Sequence, residues 1–207
     1  MRKTLLLAVL ALALPTALFA GSSVDYTNLG GNLMGSASGL TLSGTNSSTL
    51  AIVSSLGIAS ALGNLGTVSF GTGALETGSL SGGGTFSSTG SWFTITGNGS
   101  NGLPNGVIFT GAFSGDIHLV FGGTLADGTH TYVLWGGLKG MSGNGMPEAG
   151  LTSQIVFNTG KGFFDGGANI TSGDTSLSAV VPEPGSLGLL GTGLIGLAGV
   201  VRRKLRS

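Results

Sequence analysis

Apolar positions follow two patterns along this chain. Near the start, Leu5 to Leu14 is an unbroken apolar run of ten, and near the end Gly185 to Val201 is a run of 17 uncharged residues. Between them, apolar and polar residues alternate. Ser91 to Thr96 sets Phe93 and Ile95 on one face and Trp92, Thr94 and Thr96 on the other. Asp116 to Phe121 sets Ile117, Leu119 and Phe121 against Asp116, His118 and Val120. Thr129 to Trp135 sets His130, Tyr132 and Leu134 against Thr131, Val133 and Trp135. A period of two is the signature of half-buried strands. Asp127-Gly128, between the last two segments, is a hairpin signal because glycine reaches the left-handed backbone that such turns need. Further strands are expected at residues 24–28, 40–42, 68–70, 107–113, 154–157 and 177–180, with a turn at 81–84 and a loop at 97–105. Residues 50–65 are ambiguous. Leu50-Ala51-Ile52-Val53 reads as a strand, whereas Val53, Leu56, Ala59 and Leu62, three apart, fit a short helix; the surroundings favour strand. Short strands between turn signals predict a mainly β domain, an antiparallel sandwich or an open barrel. A β-solenoid would need a fixed repeat, and the glycine clusters are irregularly spaced.

The two apolar runs lie outside that pattern. Met1-Arg2-Lys3 precedes the first run, Pro15 breaks it, and small residues follow up to Ser22, which is the form of a secretory signal peptide. Cleavage after Ala20 or after Ser22 fits. The second run would span about 26 Å as a helix, close to the roughly 30 Å of a bilayer core. Gly188, Thr192 and Gly196 form a small-residue stripe, suited to a neighbouring helix or merely filling a short segment. Arg202, Arg203, Lys204 and Arg206 follow at once, and no basic residue precedes closely. The positive-inside rule therefore puts the C-terminus in the cytoplasm and the body outside. Pro182, Glu183 and Pro184 stand at the outer surface, extended because each proline fixes φ and restricts its predecessor.

Val181-Pro182-Glu183-Pro184, a short Gly/Leu-rich helix and an Arg-rich end resemble the PEP-CTERM sorting signal of Gram-negative bacteria. The resemblance covers roughly the last 27 residues. It implies recognition by exosortase, a membrane protease or transpeptidase, with Pro182, Glu183 and Pro184 as the motif and Arg202 and Arg203 as the membrane stop. It also implies anchoring in the inner membrane with the body in the periplasm, then a cell-surface or extracellular destination after processing, in an exopolysaccharide or biofilm setting. The expected organisation is a signal peptide at 1–22 with its signal helix, a β-rich exported domain at 23–180, and a sorting segment at 181–207 with a transmembrane helix at 185–201 and a basic tail at 202–207. Family bodies are unrelated, so the resemblance says nothing of residues 23–180.

Charge must be recounted without the ends. Residues 21–181 keep only Lys139 and Lys161 against seven carboxylates, a net charge of −5, whereas the whole chain sums to zero. Such a body offers no basic patch for nucleic acid. There is no cysteine, so this exported domain relies on its core alone. Glycine supplies 42 of 207 residues without a three-residue period, which excludes collagen. His118 and His130, with Asp116 and Asp127, can be imagined as a metal site if their strands paired, but polar residues on the solvent face of a hairpin explain them without metal. Asp165 to Asn169 lacks the alternating acids of a calcium loop and reads as a turn. Trp92, Tyr132 and Trp135 are candidate sugar contacts, since aromatic faces stack on sugar rings. Asn46, Asn98 and Asn169 match the N-glycosylation pattern. No catalytic, cofactor-binding or metal residue is assigned. The expected function is a non-enzymatic envelope or matrix protein, structural or adhesive, with a carbohydrate-binding module as the alternative and a secreted hydrolase as the least favoured.

Overall fold

The computed structural model describes residues 23–55 and 58–179. The expected signal helix, sorting motif and transmembrane helix lie outside those residues. Thirteen strands form one antiparallel sheet: β1 (Ser23–Leu29), β2 (Asn32–Ser36), β3 (Gly39–Leu42), β4 (Ser48–Ser55), β5 (Ile58–Gly71), β6 (Leu75–Ser79), β7 (Gly83–Phe86), β8 (Trp92–Asn98), β9 (Asn105–Phe113), β10 (Ile117–Thr124), β11 (His130–Ser142), β12 (Pro147–Asn158) and β13 (Gly167–Ala179). Among the described residues, helix is limited to single 3-10 turns at Gly44–Asn46 and Ser100–Gly102. None is long and apolar enough to cross a membrane.

The sheet closes on itself. The pairs β13–β1, β1–β4, β4–β5, β5–β8, β8–β9, β9–β11, β11–β12 and β12–β13 make a ring of eight strands. The expected mainly β, antiparallel fold is present, and because β12 bonds to both β11 and β13 these eight strands pair in a closed ring rather than an open barrel. Closure removes the unpaired edges of the ring strands, which invite aggregation, and leaves β6, paired only with β7, as an edge strand among the described residues. Shorter strands lie end to end beside the long ones. β9 and β10 share one edge of β11, and β1 and β2 share one edge of β13.

The alternation in the sequence decides which face is inside. Phe93 and Ile95 of β8, Ile117 and Leu119 of β10, and Tyr132, Leu134 and Leu138 of β11 point inward and are buried. One half of the interior is an aromatic cluster in which Phe93 stacks on Phe70 (5.9 Å) and meets Phe113 (5.9 Å) and Phe109 (6.4 Å) edge-on. Such pairs add about 1 kcal/mol each beyond area burial. The other half holds Tyr132 stacked on Phe157 at 5.4 Å, with Phe164 against both.

The hairpin at Asp127-Gly128 forms as expected. Gly128 has φ 86°, and the Asp127 carboxylate accepts the Thr129 N–H at 2.9 Å, which holds its pKa below the usual range. Residues 50–55 and 58–65 are strand rather than helix. Two register shifts interrupt the β4–β5 pairing, so Leu50 and Val53 both face inward three residues apart. The turn placed at 81–84 ends at Gly82, and Gly83 and Gly84 belong to β7. A Cβ on Gly84 would strike the Thr77 carbonyl of β6, so glycine permits the close pairing there. The turn expected at 165–169 gives way at Gly167 to β13, whose residues 167–169 pair with β2.

Candidate functional site

The outer wall carries a row of chemically useful side chains that sequence order does not reveal. Cross-strand register places Thr85 (β7) beside His118 (β10), His118 beside Trp135 (β11), Trp135 beside Gln154 (β12), Gln154 beside Asp174 (β13), and Asp174 beside Thr27 (β1). At about 4.8 Å per strand, this row runs about 24 Å along the surface. Trp135 is 41% exposed, and its ring packs on the His118 imidazole with centroids 4.3 Å apart and planes tilted by 30°. The Thr85 hydroxyl lies 3.5 Å from His118 Nδ1. At the other end Thr27 Oγ1 donates to Asp174 Oδ1 at 2.6 Å. The stacking and these bonds hold the side chains in place without covering the outward face of Trp135.

Two features flank the row. On one side Val120, Val133 and Val156 lie side by side on the same outer face of β10, β11 and β12. On the other, Asp25, Thr27, Ser54, Gln154, Asp174 and Ser176 line a shallow depression of about 330 Å³. An aromatic plate and apolar strip thus lie next to two carboxylates, an amide and hydroxyls, with no cationic side chain in the depression. The arrangement suits a ligand with both apolar faces and many hydroxyls, and it disfavours an anionic one.

The candidate residues separate in space. Tyr132, a sequence-based sugar candidate, is fully buried; its hydroxyl donates to the Ser81 carbonyl at 2.7 Å and accepts the Phe164 N–H at 3.1 Å. It is a core residue, so the sugar assignment for it is corrected. Trp92 faces outward on β8 but is half-buried, with its indole laid over Gly71 of β5, away from the row. Trp135 alone of the three stands in it. The imagined His118–His130 metal site is not formed. The two histidines point to opposite faces, and His130 lies against Phe163 (4.4 Å) with Nδ1 3.1 Å from the Gly162 carbonyl. No cluster of three potential metal ligands occurs among the described residues. Gln154, Asp174, Thr27 and Thr85 were missed by sequence reasoning, because their only signal is register between strands far apart in the chain. Of the possible glycosylation sites, Asn46 lies in an exposed turn, whereas the Asn98 and Asn169 side chains take part in hydrogen bonds.

No curated protein and no solved structure is similar enough to this chain to count as a match. The body therefore stands on its own geometry. The C-terminal segment does not: residues 180–204 match the family model of the PEP-CTERM protein-sorting motif, which marks the chain as an exosortase-sorted extracellular protein, anchored in a membrane before processing.

Proposed function

We propose that the sorted barrel is a non-enzymatic adhesive component of an extracellular polysaccharide matrix, and that it meets neutral polysaccharide along the Thr85–His118–Trp135–Gln154–Asp174–Thr27 row. The observation that carries this reading is that row, with one exposed tryptophan at its centre. A pyranose ring lying on Trp135 gains stacking and buried area. Its hydroxyls meet Gln154 on one side and the Thr85–His118 pair on the other, and a second sugar unit reaches Asp174. Asp174 in the row and Asp25 beside it select against acidic polysaccharide by like-charge repulsion. The motif-bearing tail delivers the barrel to the exterior; the row gives it something to hold there.

Titration calorimetry of the full chain in detergent, with neutral and uronate-containing polysaccharides, tests the reading. Wild type binds the neutral polymer, and Trp135→Ala weakens it about tenfold or more, as loss of a central aromatic anchor does. Trp92→Ala leaves binding unchanged. Equal losses in both variants, or no binding by the wild type, would sink the proposal.

A further inference from the structure

The hairpin turns of the barrel fall at two ends, and the chain leaves from one of them. β13 stops at Ala179, paired with Glu148 beside the β11–β12 turn. β1 begins at the same end, with Val24 paired to Ser55 beside the β4–β5 turn. The β8–β9 loop also lies there. This exit end carries a repeated device. Asn101-Gly102-Leu103-Pro104 in the β8–β9 loop and Asn144-Gly145-Met146-Pro147 in the β11–β12 turn share the order Asn-Gly-apolar-Pro. Gly102 and Gly145 have φ of 80° and 81°, and each is followed by one bulky apolar side chain. Leu103 covers the core, and Met146 is 53% exposed. Between them the β4–β5 hairpin runs past the end of β8, because β8 pairs with β5 only from Gly66 onward. Ile58 is 73% exposed and Leu62 61%. No charged residue occurs in 58–65, 98–105 or 141–147, and half-buried Glu148 follows the last of these. The far end also exposes Leu125 and Phe163, but there Asp127, Lys161 and Asp165 stand among them.

The length of chain beyond Ala179 says what faces this end. Only five residues, 180–184, separate β13 from the uncharged run at 185–201. Fully extended, they reach about 20 Å. The far end lies a strand length away, about 43 Å along the 13 residues of β13, beyond that tether. We infer that in the unprocessed protein the exit end rests on the bilayer, with Ile58, Leu62 and Met146 dipping into the lipid interface as uncharged apolar tips do. This rests on the sorting reading, since the tether is the sorting segment. It adds a consequence: the barrel is held with its exit end down and the polysaccharide-facing wall to the side, and the tips enter water only on release.

The chain has no native cysteine, so single labels report cleanly. The full chain, reconstituted in phosphatidylethanolamine/phosphatidylglycerol vesicles, is labelled with an environment-sensitive dye at Ile58→Cys, Met146→Cys, Phe163→Cys or Leu194→Cys, and quenched with brominated phospholipid. The expected result is loss of most emission at Ile58→Cys, Met146→Cys and Leu194→Cys, and little at Phe163→Cys. Quenching at Leu194→Cys without quenching at the two tips overturns the membrane seat while leaving the anchor intact. No quenching at Leu194→Cys overturns both. Tips shielded from aqueous iodide yet untouched by brominated lipid are covered by a second copy, which also overturns the seat.

Discussion

Tyr26 shows how one side chain ties the barrel to pH. It lies in the core on β1, and burial, with a smaller contribution from the Glu148 charge, pushes its phenol up to about 12 from 10.0. The neutral phenol is what the fold accommodates. Above pH 10 the unfolded chain loses this proton while the folded chain keeps it, so the unfolded state binds fewer protons and stability falls with rising pH. The contribution is fully present below pH 10 and is lost as pH rises to about 12. Urea midpoints measured across that window should fall more steeply for wild type than for Tyr26→Phe, and Glu148→Gln, which lowers only the folded-state value, should leave the onset in place but make the fall smaller and end at a lower pH. Parallel curves for wild type and Tyr26→Phe would show that the phenol is not the group responsible. At this scale the sequence told which face a residue takes but not what it meets there. Tyr132 and Trp135 both sit in one legible strand, three residues apart, and alternation sends one to the core and the other to solvent. That is why only one of three aromatic candidates survives as a ligand contact.

Strands were legible where nothing interrupted their period, and illegible where glycine or a bulge did. β8, β10 and β11 follow from Phe93, Ile95, Ile117, Leu119, Tyr132 and Leu134 alone. β4 and β5 do not, because each register shift flips the face of the residues that follow. The glycines read from composition as turn residues serve a second purpose inside strands. Gly66, Gly97 and Gly106 lie side by side across β5, β8 and β9. A Cβ on Gly66, whose φ is +147°, would strike the Thr96 carbonyl, and one on Gly97 would strike that of Pro104. The row lets three strands approach and coil where side chains would hold them apart. Gly66→Ala combines overpacking with backbone strain and should cost about 3 kcal/mol. The check is a fall in urea midpoint at unchanged slope. A change within about 0.5 kcal/mol, the range of ordinary surface substitutions, would mean that β8 can move aside.

Closure is a property of the whole molecule, and no local pattern announces it. The seam joins Ser23 to Ser178 and Asn28 to Gly173, partners from opposite ends of the domain. Period-two alternation looks the same in a sandwich and in a barrel, so the choice between them depends on pairings that only the three-dimensional register supplies. The same dependence sets the energetics. In an open sheet, losing an edge strand is a local injury. In a ring, removing β1 creates two unpaired edges at once, on β4 and β13, and opens the core beside Leu50 and Leu177. Non-local pairing of this kind also makes folding slow, since loop-closure entropy is spent before the seam forms. The two tryptophans make the point measurable. Trp92 on β8 and Trp135 on β11 are each three strands from β1, in opposite directions round the ring. If the ring is one cooperative unit, deleting residues 23–29 should abolish the sharp urea transition reported by either tryptophan, followed one at a time in Trp→Phe backgrounds. If one tryptophan keeps its native transition while the other loses it, the wall behaves as two separable sheets, and the sandwich is the better description of how this molecule is held together.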